Sequence, residues 1–213
     1  MGKNLKELNL EDILGDIPEY TANMQLPDNN LRDFYQDELD RVIWLVGEVD
    51  EKFLDAVSRI MKYNKEDKDI PVEERKPIKL IIDTLGGSVV IMWTLVNAIK
   101  ISKTPVWTIN WCGCYSAGAH ILAAGHKRFA MPGSTVLIHS GSCYLSGNQE
   151  QVDNAKKYYD GLGKLAEEEL LKSTTIDKKV FNRKKVNDWY LTAEEALNNH
   201  IIDRIIEDYS EIF

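Results

Sequence analysis

The chain has 213 residues, with 26 basic against 34 acidic side chains and a net charge of −8. An acidic surface repels phosphate backbones, and the short cluster Asn182-Arg183-Lys184-Lys185 is too small to reverse that, which argues against nucleic acid as a partner. Apolar residues make up 44% and charged residues 28%, the composition of one globular core with appendages.

The opening MGKNLKELNLEDILGDIPEY carries no apolar h-region, and no apolar run approaches the length of a membrane span. Cys112, Cys114 and Cys143 do not form a disulfide framework. The expectation is a cytoplasmic protein with no membrane partner. Cys112 and Cys114 lack a second ligand pair to complete a metal tetrahedron, so they read as small buried strand residues, and no metal or other cofactor is expected.

In chain order, Arg41 to Val49 (RVIWLVGEV) is an apolar, β-branched run that predicts a buried strand. Asp50 then caps a helix on which Phe53, Leu54, Val57, Ile60 and Met61 recur at helical spacing. The charged stretch Asn64 to Pro77, with two prolines, predicts an exposed loop. Lys79 to Asp83 predicts a second strand, followed by the turn Leu85-Gly86-Gly87-Ser88 and a helix from Val89 to about Lys100. Pro105 to Trp111 predicts a third strand, then Cys112 to Ser116 and a helix from Ala117 to about Ala124. Thr135 to His139 predicts a fourth strand.

Strand–helix alternation at this spacing implies an α/β protein with a mostly parallel sheet covered on both faces. Sites in such sheets form outside the carboxyl ends of the strands, where Gly87 and Ser116 both fall. Beyond them, Asn148 to about Leu171 predicts a long polar helix with a sparse apolar stripe suited to a partner. Thr192 and Glu195 form a capping box for a short helix to Asn198, and Ile201 to Ile206 predicts a last strand.

Ser116 lies in GCYSAGAH, after a strand and at the start of a helix. It is either a plain N-cap serine or a nucleophile at the sheet edge, with small neighbours Ala117, Gly118 and Ala119. Gly86-Gly87 is either a tight turn or the source of one oxyanion donor, with the N–H of Ala117 as the second. Of four histidines, His120 and His126 lie on or just past the helix that follows Ser116, with His120 one turn up and behind the attacking face, and His200 lies far along the chain. His139 ends a strand at the same sheet edge and is the candidate base. The carboxylate that would fix its tautomer stays open among Asp153, Asp160, Asp177, Asp188 and Asp203.

These same stretches resemble the proteolytic subunit of the Clp protease family (peptidase family S14). Ile81 to Val89 (IIDTLGGSV) is similar to its strand and glycine turn, Cys114 to Ala119 (CYSAGA) to its nucleophile turn, and Leu137-Ile138-His139 to its histidine strand. Asp188 to Ala196 (DWYLTAEEA) resembles its aspartate and the helix that follows. The four stretches come in the family's order and intervals, from about Tyr35 to Ile206.

The resemblance implies a crotonase-like spiral of repeated β-α units over 35–208, with 1–34 a partly flexible N-terminal extension and a protruding handle helix over about 148–172. It implies a serine endopeptidase in which Ser116 is nucleophile, His139 base and Asp188 its orienting acid, with Gly87 and Ala117 holding the oxyanion. It also implies self-association into rings (a heptamer or tetradecamer) that enclose a chamber, peptide or unfolded-protein substrates, and an ATP-dependent unfoldase as partner. Divergent members occur in phages and prophages.

Several positions depart from the family pattern. Ser140-Gly141 stands where the family has Gln-Pro, Ala117 where it has Met, and His200 where it has Gly. The rival readings are a pseudo-peptidase that keeps the ring as scaffold and an acyl-CoA enzyme of the same superfold. An α/β-hydrolase is disfavoured by Cys114 in place of the elbow glycine and by a candidate Asp that follows the His.

Overall fold

The structure, a computed structural model, describes residues 29–213. The chain divides into two units, Met1–Gln36 and Asp37–Phe213. The expected extension over 1–34 lies largely outside the described residues; within them a helix α1, Asn29–Asp40, was not anticipated.

The second unit alternates strands and helices: β1 (Val42–Val49), α2 (Leu54–Glu66), β2 (Ile78–Gly87), α3 (Val89–Ile101), β3 (Val106–Tyr115) and α4 (Ala117–Ala123). Then come β4 (Lys127–Ala130), β5 (Thr135–Ile138), α5 (Gln149–Ser173), α6 (Lys178–Lys184), β6 (Trp189–Thr192), α7 (Ala193–Asn198) and β7 (Arg204–Ile205). One seven-stranded sheet runs β1-β2-β3-β4-β7, with β5 paired to β3 and β6 to β5. Every pairing is parallel except β5 with β6. The α/β expectation with a parallel-dominated sheet therefore holds.

Alternation along the strands divides the core. Ile43, Leu45, Leu80 and Ile82 face the helices and pack with Leu95, Ile99, Ile121 and Leu122. Val42, Ile81, Ile109 and Phe129 face the other way into a smaller cluster with Ile206 and Ile212. Each fully buried side chain of this size contributes about 1.5–3 kcal/mol over its exposed state. Helix α3 (VVIMWTLVNAIKI) is apolar nearly all round because α2, α4 and α5 all pack near it.

Four expectations are corrected. The Gly86-Gly87 pair is not a turn: β2 runs on to Gly87, because it bulges at Thr84-Leu85 opposite Gly47 of β1 (φ 97°) and then re-registers so that Glu48 and Val49 pair with Gly86 and Gly87. Helix α2 continues to Glu66, so the expected loop begins only after a buried Asp67, which accepts from Arg41 at 2.6 and 2.7 Å and from Thr104 at 2.9 Å. The last strand shrinks to Arg204–Ile205, since the N–H groups of Ile201 and Ile202 turn back onto the Ala196 carbonyl. Cys114 is buried as expected, but Cys112 is exposed where β3 changes partner from β4 to β5.

Helix α5 has its buried residues, Ala166 and Leu170, confined to its second half. Its first three turns lie mostly in the open. Among the described residues, no helix is long and apolar enough to cross a membrane.

Candidate active site

β2, β3 and β5 are parallel neighbours, so their carboxyl ends meet at one edge of the sheet. β3 ends at Tyr115 and α4 begins at Ala117, leaving Ser116 alone to make the corner, at φ 53° and ψ −117°. A residue with a Cβ pays of order 1–3 kcal/mol for such backbone, so the surroundings must hold it there. The Ser116 N–H donates to the Leu137 carbonyl of β5 at 2.9 Å, and its carbonyl accepts from Ala119 N–H at 3.0 Å. Tyr115 braces the corner through its hydroxyl, 2.8 Å from Thr135 Oγ1, and by an edge-to-face contact with Tyr190 of β6.

His139 follows the last residue of β5, and its Nε2 lies 2.8 Å from Ser116 Oγ. Its Nδ1 lies 3.4 Å from Asp188 Oδ1. With the serine hydroxyl donating to Nε2, the ring proton belongs on Nδ1, facing the carboxylate; this tautomer follows from the partners. The Asp188 side chain is 57% exposed and His139 27%. Solvent therefore screens the imidazole–carboxylate contact in the isolated chain.

The other acids left open by the sequence are engaged elsewhere. Asp153 accepts from Gln149, Asp160 pairs with Lys156, Asp177 caps α6, and Asp203 holds Arg128. Two further histidines are likewise committed: His126 Nδ1 accepts from the Val106 N–H at 2.9 Å, and His200 Nε2 lies 3.2 Å from Asp203. His120 sits up the helix from Ser116, and burial pushes its pKa down to about 4.

The glycine pair divides its labour. A Cβ on Gly86 would stand 2.7 Å from Ser116 Cβ, 2.8 Å from the Tyr115 carbonyl oxygen and 3.3 Å from Ala117 N. Gly86 is thus the close approach that lets β2 touch the Ser116 corner, a role not expected from the sequence. Its N–H is taken up by Thr84 Oγ1 at 3.0 Å. Gly87 lies one residue further along the edge, exposed, with φ 149°.

The fold and this grouping define a class: a parallel α/β protein whose sheet edge gathers a serine hydroxyl, an imidazole and a carboxylate in line. The Clp protease family model matches residues 28–209, and the chain belongs to that family. The architecture is accordingly the crotonase-like fold of the Clp proteases, and by family the chain is a peptidase, of a kind whose members typically form rings.

Proposed function

We propose that this chain is a serine endopeptidase acting by a Ser116–His139–Asp188 triad. The observation that carries the reading is the 2.8 Å approach of His139 Nε2 to Ser116 Oγ at a strained strand-to-helix corner. His139 takes the hydroxyl proton as Ser116 Oγ attacks the scissile carbonyl, and returns it to the leaving amine. Asp188 holds the Nδ1–H tautomer and offsets the imidazolium charge. The N–H of Ala117 and the N–H of Gly87 stabilise the oxyanion, the first from the start of α4 and the second from the end of β2. Water then repeats the cycle on the acyl-enzyme.

Ring assembly around an inner chamber is part of the same proposal. Two exposed apolar surfaces lie on opposite faces of the sheet: Met61 and Ile101 beside the groove between α2 and α3, and Trp44 and Val46 on the other face of β1. Different surfaces that meet head to tail generate closed rings rather than two-fold dimers. The screened Asp188 favours the scaffold alternative in an isolated subunit, and burial of that edge by a neighbour would restore the triad's strength.

The test is hydrolysis of a fluorogenic peptide and of an unfolded protein by fractions sized by light scattering. Turnover by a ring-sized species, abolished in Ser116→Ala with the ring intact, is expected. Turnover retained in Ser116→Ala, or a strictly monomeric mass, contradicts the reading.

A further inference from the structure

The strands that deliver Ser116, His139 and Asp188 share one last rung before they part. β3 ends on Tyr115, which stands opposite Leu137 of β5, and Leu137 in turn stands opposite Tyr190 of β6. Residues opposite one another on paired strands project from the same face, so the three side chains of this rung lie side by side. Ser116 follows Tyr115 directly, His139 lies two residues past Leu137, and Asp188 lies two residues before Tyr190.

Tyr115 is turned back along that face. Its ring covers Gly113, where an added Cβ would stand 3.1 Å from Tyr115 Cζ and 3.4 Å from the hydroxyl oxygen. By lacking a side chain, Gly113 gives the ring its seat. The hydroxyl meets Thr135 Oγ1 at 2.8 Å, and Thr135 is the residue that pairs with Gly113 on β5. Across β5 the ring meets Tyr190, with centroids 5.9 Å apart at 87°, the edge-to-face arrangement that aromatic quadrupoles favour. One side chain of β3 is thus fastened to β5 by a hydrogen bond and to β6 by a ring contact.

β6 is the strand with the least hold of its own. It is four residues long, and among the described residues its strand partner is β5 alone. Leu191 anchors its opposite face in the core, while Tyr190 is 56% exposed and adds little burial there. Beyond the strand, the tie back to the β5 side is the Ser140 N–H donating to the Lys185 carbonyl at 2.7 Å, three residues before Asp188. Between that bond and the strand, the aromatic contact is what steadies the end of β6 that carries the carboxylate.

We propose that Tyr115 and Tyr190 are positioning residues: an aromatic clasp across β5 that holds β6, and with it Asp188, in line with His139 and Ser116. The proposal rests on the reading of Ser116 as nucleophile, and its test separates the two. Tyr190→Leu removes the ring from an exposed site, and Tyr190→Phe keeps it. Backbone hydrogen exchange over Trp189–Thr192 reads the clasp, independent of chemistry. The rate of fluorophosphonate labelling at Ser116, measured with and without Asp188→Asn, reads its consequence and its route.

For Tyr190→Leu the expected result is faster exchange in β6 and labelling about three- to tenfold slower, the size of one edge-to-face contact expressed as a rate. Tyr190→Phe should match the parent in both. On a peptide substrate the loss should fall on kcat with KM nearly unchanged. In the Asp188→Asn background Tyr190→Leu should slow labelling no further, because its effect runs through the carboxylate already lost.

Unchanged exchange in a folded Tyr190→Leu protein overturns the clasp, and faster exchange with parental labelling overturns its link to the site. A Tyr190→Phe protein as impaired as Tyr190→Leu overturns the role of the ring contact. A raised KM with parental kcat assigns Tyr190 to substrate contact instead, and a full further loss in the Asp188→Asn background assigns the effect to general loosening; either overturns the proposal. Failure of the parent to label defeats the nucleophile reading, while exchange still decides the clasp. Should Tyr190→Leu not fold, Thr135→Val, which strips the hydroxyl that holds the Tyr115 ring, takes its place: faster β6 exchange with slower labelling supports the clasp, and parental values for both overturn it.

Discussion

His139 and Asp188 are the next residues beyond the Ile138–Trp189 rung of the antiparallel pair β5–β6, so the strand register itself sets the imidazole opposite the carboxylate. The 3.4 Å contact between them is a consequence of that register rather than of a chance loop conformation. The same strand β5 pairs on its other side with β3, where Tyr115 stands opposite Leu137 and the Ser116 N–H bonds to the Leu137 carbonyl. Three adjacent strands thus deliver one member each of the serine–imidazole–carboxylate line.

Because the register places the acid, removing its charge should spoil the tautomer without moving the strands. Asp188→Asn is expected to lower kcat by roughly 10²–10⁴-fold with KM little changed and the fold intact. Steady-state kinetics on a peptide substrate check this. A wild-type kcat would show that Asp188 does not orient His139.

Ser116 is held in backbone that glycine adopts freely, so stability and reactivity conflict at this position. Ser116→Gly should abolish hydrolysis and raise the unfolding free energy by about 1 kcal/mol, the relieved strain outweighing glycine's greater unfolded-state entropy. Urea denaturation of the two proteins measures the difference; a less stable glycine variant would contradict the strain argument.

Gly86 and Gly141 differ sharply in what a methyl group would meet. At Gly86 it would press on Ser116 Cβ and the Tyr115 carbonyl, and φ is 99°; at Gly141 there is nothing within 4 Å. Gly86→Ala should therefore cost on the order of 2–4 kcal/mol and disturb the Ser116 corner, whereas Gly141→Ala should stay within about 0.5 kcal/mol of the parent. Thermal midpoints of both variants test the contrast. Equal midpoints would show that β2 yields at no cost.

Asp67 is 2% exposed, and the Arg41 guanidinium, helped by the Thr104 hydroxyl, holds its carboxyl below the usual carboxylate range despite burial. The folded state thus binds this proton less readily than the unfolded chain. The stabilisation is fully present above the ordinary aspartate value of about 4 and fades as pH falls through the depressed folded one. Asp67→Asn should cost about 3–5 kcal/mol at pH 7, and its deficit against the parent should shrink in acid below that window. A deficit that does not change with pH would assign the loss to packing.

Much of this was legible in the sequence. The runs RVIWLVGEV, KLIID and PVWTINW carry enough β-branched and aromatic residues to mark β1, β2 and β3, and Ser116 and His139 follow from their places at strand ends. The acid was not legible from spacing, because Trp189–Thr192 is only four residues and alternates too briefly to announce a strand; only its pairing with β5 selects Asp188 among five aspartates. The family motif pointed there without giving that reason. Strand β4 and helix α6 were missed for the same cause: four and seven residues are too few to show a period.

Gly86 escaped notice because its partner is the Ser116 corner, thirty positions away in the chain, and no local pattern reports a non-local approach. The departure at position 200 has a visible consequence: His200 adopts φ 55°, the left-handed conformation that glycine reaches without strain.

The central claim is that Ser116 is an activated nucleophile, and the most direct measurement is fluorophosphonate labelling followed by peptide mass mapping, on assembled and monomeric fractions alike. The account predicts a single adduct on Ser116, lost in His139→Ala. An absence of label in both fractions, or a label on any other residue, would contradict it.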